Sequence, residues 1–309
     1  MHRHLTGLPE HWEASTCAHF KHLIMKAFSS LIASVAIVLF SWNTGSVAAQ
    51  TVLDGAYIKE HNKTKKVVQY PFIRESDVMW AKRIWQDINL REKMNLPLYY
   101  PLEESSGMKN LFSVIRDALL VEGSITAYSV GISGKEDDFR TPMLVSDVKE
   151  IYEKQDTTST MDPDTGEMIE IVQTIELSAD EITRYRVKED WFFDKQRSER
   201  YIRIIGIAPM KERMEQGEPT GAFETLFWLY FPECRYVFAN WDSFNRFNDS
   251  ERRSFDDLFQ KRMFASTVIK ESNVYDRSIQ DTHRGIDALL KAEEIKEQLF
   301  VLEHDLWSY

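Results

Sequence analysis

Apolar residues recur three or four positions apart in five stretches of the chain, a spacing that predicts amphipathic helices. The stretches run from Ala81 to Ile88, Leu111 to Leu119, Val148 to Tyr152, Phe255 to Met263 and Leu289 to Leu302. Ser76-Asp77 precedes the first stretch at the position of a helix N-cap. The second helix is expected to begin near Ser106, and Gly123 follows that helix at the position of a C-cap glycine. A capping-box pattern at residues 178–181 predicts a further helix start.

Runs rich in β-branched and aromatic residues predict strands between these helices. The runs cover residues 124–130, 168–177, 191–193, 201–207, 223–231 and 236–239. The charged stretch at 195–199 predicts a turn that pairs two of the strands. The two prolines of the stretch 97–101 predict an extended segment, because proline disfavours helix at the preceding residue. Helices and strands alternate in mixed order with hairpins, which indicates an α+β fold with antiparallel strands and a helical C-terminal third.

Residues 1–50 have the pattern of a secretory signal peptide. Lys26 precedes an apolar run at 28–40, and small residues follow as far as Ala49. Cleavage is expected after Ala49 or after Gln50. The run is shorter than the roughly 20 residues of a membrane-spanning helix, although a retained anchor is an alternative, and the pattern fits better if translation begins at Met25. The expected organisation is therefore a leader at 1–50, an α+β domain at 51–280 and a C-terminal helix at 281–309.

Composition limits the classes of partner. The 309 residues are 43% hydrophobic, enough for a sizeable core. The formal net charge of −11 is not the electrostatic footprint that a nucleic-acid partner requires. Cys234 is the only cysteine after the leader, so we expect a small buried side chain, with pairing to another chain as the alternative. No cysteine stands directly after the apolar run, at the end of the leader, to carry a lipid. No direct membrane insertion is expected, so membrane attachment would need another protein.

The patterns of metal, phosphate and catalytic sites are incomplete, so no catalytic residue, metal or cofactor is predicted. Asp162, Asp164 and Gly166 resemble the start of a calcium loop, but Val172 stands where the bidentate glutamate belongs. Residues 129–136 lack two of the positions that a P-loop requires. Catalytic groups need not be contiguous in sequence. A periplasmic hydrolase with a dispersed site, or a small-molecule-binding protein, therefore stays open as an alternative.

Aromatic residues make up 12% of the chain, and aromatic side chains are enriched both in cores and at interface hot spots. Trp80 and Trp85, placed on the first predicted helix, and Trp307 near the C-terminus are our candidates for partner binding. The last predicted helix, about 286–303, has an interrupted apolar stripe and charged remaining faces. It is expected either to lie on the protein's own core or to dock on a partner.

Long strings along the chain carry a family resemblance. They are DGAY at 54–57, RESDVMW at 74–80, AKRIW at 81–85, LREKMN at 90–95, PLYYP at 97–101, TAY at 126–128, EDWFFD at 189–194, RIIGIAP at 203–209, WLYFPE at 228–233, VFAN at 237–240, KRMF at 261–264 and KESNVYDR at 270–277. With these strings the chain resembles the GldN/PorN family of gliding-motility and type IX secretion proteins.

The resemblance implies a periplasmic subunit without catalytic activity, attached peripherally to the inner face of the outer membrane. Members of the family bind a GldK/PorK lipoprotein and form a ring that is linked to the inner-membrane motor proteins GldL/PorL and GldM/PorM. By this resemblance we expect self-association in a ring, a lipoprotein partner and a motor-protein partner. No catalytic residues are transferred, because the family carries none.

Overall fold

A seven-stranded antiparallel sheet organises the residues that the computed structural model describes, which are 65–104, 107–131, 134, 136–161, 168–215, 218–248 and 250–306. The leader with its cleavage site, the calcium-like loop at 162–166 and Trp307 lie outside these residues. The strands are β1 (Val78–Asn89), β2 (Ala127–Tyr128), β3 (Glu153–Met161), β4 (Met168–Glu176), β5 (Ile182–Asp194), β6 (Glu199–Glu215), β7 (Glu218–Thr225), β8 (Trp228–Tyr230), β9 (Asp242–Ser243), β10 (Arg253–Ser254) and β11 (Thr267–Glu271).

The large sheet has the order β11-β1-β5-β6-β8-β2, and β7 also pairs with β6. Two small hairpins, β3–β4 and β9–β10, lie outside it. The predicted hairpin around residues 195–199 is confirmed, since β5 and β6 pair from Asp194↔Glu199 onward. The strand predicted at 168–177 is also confirmed as β4, paired with β3.

The helices within the described residues are α1 (Leu96–Tyr99), α2 (Leu111–Leu120), α3 (Val145–Tyr152), α4 (Phe231–Phe238), α5 (Phe255–Gln260), α6 (Ile279–Thr282) and α7 (Ile286–Leu306). Four of the predicted helices are confirmed as α2, α3, α5 and α7. Helix α2 begins after Asn110, whose side chain accepts a hydrogen bond from the Ser113 amide, and not near Ser106. Gly123 has a positive φ beyond its end, as a C-cap glycine does. With this mixture of helices and antiparallel strands, the α+β class is confirmed.

The prediction of a helix from Ala81 to Ile88 is wrong. Residues 78–89 form the strand β1, and a single 3-10 turn precedes it at Glu75–Asp77. Ile84 and Ile88 lie on one face of the strand, whereas Trp85 lies on the other. Both faces are covered, so adjacent positions are apolar and their spacing imitates a helix. Residues 78–120 therefore contain a strand, a short helix and a helix, where two helices were predicted.

Three further local predictions are wrong. The stretch 97–101 is not wholly extended, because α1 forms there with its proline at the helix start, where the missing N–H is tolerated. The capping box at Ser178 makes only the 3-10 turn Ala179–Glu181 before β5. The strand expected at 236–239 is helix α4, with Pro232 in its first turn, whereas the strand expected at 223–231 is confirmed in part as the end of β7 and as β8.

The helices cover one face of the sheet in two clusters. The larger core joins α2 to α5 with the middle strands and contains Cys234, whose thiol is fully buried, as expected. Burial raises the pKa of that thiol well above its usual range. The smaller core is formed where α7 packs through Ala292, Ile295 and Leu299 onto Ile84 and its neighbours.

The segment before β1 is fixed to the helices by contacts distant in sequence. Lys65 pairs with Asp257 at the start of α5. The Arg235 guanidinium donates to the Val68 carbonyl over 2.8 Å and also stacks on the Tyr70 ring. The first described residues therefore belong to the same packed unit as α4 and α5.

Candidate functional site

The structure places the two described candidate tryptophans on opposite faces of β1. Trp85 is 8% exposed, and its indole N–H donates to an Asp137 carboxylate oxygen at 2.5 Å. Trp80 is partly buried and packs against the small core under α7. Both side chains therefore contribute to the protein's own packing, and Trp85 offers little surface to a partner. Their role in partner binding stays a prediction.

A buried lysine lies beside Trp85 on the face of the sheet opposite the helices. The Lys188 ammonium donates to the Asp137 carbonyl at 2.8 Å and lies 5.3 Å from the centre of the Phe139 ring. Burial lowers the pKa of Lys188, and the nearby Asp137 carboxylate opposes that shift. Gly206 lets this layer close, because a Cβ there would lie 2.5 Å from the Phe139 ring.

Two bidentate ion pairs flank the lysine. Arg83 binds Asp190 at 2.6 and 2.8 Å, and Arg186 binds Asp87 at 2.8 and 3.1 Å. Each charge therefore already has a partner of opposite sign. This layer holds strands β1 and β5 together and presents no unpaired nucleophile or base.

The most buried carboxylate of the sheet, Glu189, lies on the helix-covered face. It accepts hydrogen bonds from the Gln86 amide at 2.9 Å, the Trp191 indole at 2.8 Å and the Arg262 guanidinium at 2.7 Å. Three donors fill most of the acceptor positions of a carboxylate. A general base needs a free position that faces a substrate, so this arrangement is suited to fixing the loop after α5 against the sheet.

The same network reaches the C-terminal helix. The Ser266 hydroxyl donates to the Gln86 side chain, and the Lys296 ammonium of α7 donates to the Ser266 carbonyl at 2.8 Å. The position of α7 is thus coupled to the buried carboxylate through a continuous chain of hydrogen bonds. Sequence reasoning missed this network, because its members come from four segments and none has a motif.

Metal sites and membrane spans are two further kinds of functional feature that the described residues could hold. No group of three metal-ligating side chains comes together in them to hold an ion. In the same part of the chain, no helix combines the length and apolar character needed to cross a bilayer.

Helix α7 carries an exposed apolar stripe on the side away from the core. The stripe consists of Ile286, Leu289, Leu290, Phe300 and Val301, and Leu290 and Phe300 are 63% and 62% exposed. At 100° per residue these positions fall on one side of the helix, opposite the buried Ala292 and Ile295. The helix therefore packs on its own core with one face and leaves two exposed apolar groups on the other side, which the exposed Glu293 and Glu297 separate. Exposed apolar groups of this kind mark interaction sites more often than isolated ones do.

A family model described as gliding motility associated protein GldN matches residues 73–308, which include the sheet, the Glu189 network and all of α7. No curated protein matches the chain.

Proposed function

Because the chain belongs to the GldN family of gliding-motility-associated proteins, we propose that it is a non-enzymatic structural subunit of the type IX secretion and gliding machinery. In this proposal it lies in the periplasm, in a ring under the outer membrane. A GldK/PorK-like lipoprotein binds it there, and a GldM/PorM-like motor protein contacts the ring. The family match and the packing of the described residues support this role.

The observation that carries the proposal is the exposed stripe of α7. Its inner face is already satisfied by the small core, so the outer leucines and Phe300 are not needed for folding. Burying such side chains against a partner contributes roughly 25 cal/mol per Å² of apolar surface. We assign this stripe to the contact with the lipoprotein, in preference to the buried Trp85.

The buried polar groups also support a structural role. Lys188 and Glu189 have hydrogen-bond partners within the protein, and these bonds hold strands and helices in place. A hydrolase would need a comparable cluster that opens into a cleft.

The test is fractionation of cells that produce the full chain with Leu290→Glu and Phe300→Glu. The double variant should move from the outer-membrane pellet to the soluble fraction by at least about tenfold, since loss of hot-spot side chains commonly costs roughly 2 kcal/mol or more. Its melting temperature should stay close to that of the wild type, because both positions are exposed. Val121→Glu, at a position that is 80% exposed on another element, is the matched control and should stay in the pellet.

Deletion of the lipoprotein completes the test. Wild-type chain should then become soluble or be degraded. If it remains in the pellet at its normal level without the lipoprotein, the tethering role is wrong. If the Leu290→Glu, Phe300→Glu variant stays in the outer-membrane pellet of cells that contain the lipoprotein, the contact lies elsewhere on the chain.

A further inference from the structure

A groove with an acidic rim lies between α3, the base of the β3–β4 hairpin and the β6–β7 ribbon. It encloses about 740 Å³. Its carboxylates are Asp147, Glu150, Glu176, Glu181, Glu212 and Glu224, against the two cations Lys211 and Arg213. Exposed apolar side chains, Ile175 and Met214, lie on its walls. We call this surface the acidic groove.

Half of these carboxylates already have a partner. Glu181 pairs with Lys211, and Glu212 pairs with Arg91 at 3.6 Å. Asp147 accepts from the Leu144 amide at the start of α3. The other three carboxylates are exposed and make no ion pair among the described residues. They are Glu150, Glu176 and Glu224. The groove therefore keeps a net negative charge together with apolar walls.

A second surface has the opposite character. A cavity of about 410 Å³ between α1, α5 and the β9–β10 segment is lined by no carboxylate. Its cations are Lys93, Arg246 and Arg253, and its exposed apolar side chains are Met94, Phe244 and Phe247. Phe247 is 78% exposed, and the Arg246 guanidinium lies 4.5 Å above its ring. We call this surface the basic aromatic patch.

The charges of the patch are also largely unpaired. Arg253 binds Glu251 at 2.8 Å, but Lys93 and Arg246 have no carboxylate partner within the described ranges. An exposed phenylalanine beside an arginine is the composition typical of interface hot spots. The patch therefore offers two cations and an aromatic anchor to an acidic, partly apolar partner surface.

We infer that the basic aromatic patch of one copy docks in the acidic groove of the next copy. The two surfaces have opposite charge, both expose apolar side chains and share no residue. Two acidic grooves placed face to face would repel each other, so a symmetric contact through that surface is disfavoured. When a single patch-to-groove contact joins each pair of copies, the contact is heterologous and propagates head to tail, closing into a ring when the rotation allows. This inference rests on the proposed function and supplies its contact between neighbours.

The test uses charge reversal in the purified, processed protein, with molecular mass measured by analytical ultracentrifugation. Lys93→Glu with Arg246→Glu should weaken self-association at least about tenfold, and Glu176→Lys with Glu224→Lys should do the same. An equimolar mixture of the two variants pairs the intact groove with the intact patch and the reversed groove with the reversed patch, so it should assemble although neither variant does so alone. Combining all four substitutions in one chain should restore part of the assembly.

Matched controls change the net charge equally at exposed positions away from both surfaces. They are Lys66→Glu with Arg284→Glu, and Glu103→Lys with Glu122→Lys, and each pair should assemble like the wild type. Higher salt should weaken wild-type assembly, because rim charges are screened.

The inference is overturned if the wild-type protein stays monomeric at high concentration, or if the reversed variants assemble as the wild type does. It is also overturned if the Glu176→Lys, Glu224→Lys variant no longer binds a basic partner protein but self-associates as the wild type does. The occupant of the acidic groove is then a different protein. None of these results depends on membrane fractionation. A protein that stays monomeric but needs the lipoprotein to pellet would refute the self-contact and leave the proposed function standing.

Discussion

Replacing Phe238 by alanine should lower the free energy of unfolding by about 3–5 kcal/mol, the usual cost of removing a fully buried phenylalanine side chain. Phe238 lies on the inner face of α4, with its ring 5.9 Å from that of Phe259 and 6.0 Å from that of Phe231. The cavity would open in the core between α4 and α5, where the three rings pack together. Urea unfolding followed by circular dichroism measures the change.

Tyr236→Ala is the matched control for this prediction. A strand would place residues 236 and 238 on the same face, whereas α4 leaves Tyr236 exposed and buries Phe238. The tyrosine variant should change stability by less than about 1 kcal/mol, as exposed substitutions usually do. Equal large losses for both variants would contradict the helix and favour a strand.

Glu189→Leu should lower the free energy of unfolding by about 3 kcal/mol, because removing one partner of a buried ion pair leaves the other charge uncompensated. Arg262, the Trp191 indole and the Gln86 amide would each lose an acceptor. Arg262 is partly exposed, so water recovers some of its solvation and keeps the loss at the lower end of the range. The urea midpoint should fall with an unchanged slope.

The double variant Glu189→Leu with Arg262→Leu separates the ion pair from general damage to the core. Both charges are then absent, so its loss should be smaller than the sum of the two single losses. Glu103→Leu, at an exposed glutamate, serves as the control and should leave the midpoint nearly unchanged. Strictly additive losses would mean that Glu189 and Arg262 are not coupled and that the network is incidental.

Elements with one covered face could be predicted from the sequence. Helices α2, α3, α5 and α7 each bury a single stripe, so their apolar residues keep the helical spacing. The β5–β6 hairpin was predicted because a charged turn separates two aromatic and β-branched runs. In these elements local pattern and tertiary packing agree.

Elements covered on both faces could not be predicted in the same way. The strand β1 buries Ile84 toward the helices and Trp85 toward the Phe139 layer, so the alternation that identifies a strand is absent. In α4 the fragment from Tyr236 to Ala239 is rich in β-formers, but its environment between α5 and the sheet selects helix. Tertiary contacts decided both cases against local preference.

The candidate surfaces were harder to predict than the fold. The sequence identified α7 as a helix that could meet a partner, and the structure shows which side stays exposed. The tryptophans attracted attention because of their residue type, but burial is a property of position, and Trp85 is covered by Lys188 and Lys270. The groove and the patch each combine residues from segments distant in sequence, which spacing along the chain does not show.

The order of strands in the sheet also shapes how the chain reaches this structure. β1 pairs with β5 and β11, and Ser266 contacts Gln86 across 180 residues of sequence. Pairings of this range form slowly, because the entropy of closing a long loop is lost before the contacts can stabilise it. Until the last strand arrives, β1 has an unpaired edge, which is a template for aggregation. A copy that ends before β11 would keep this edge of β1 unpaired, and we expect it to aggregate instead of folding.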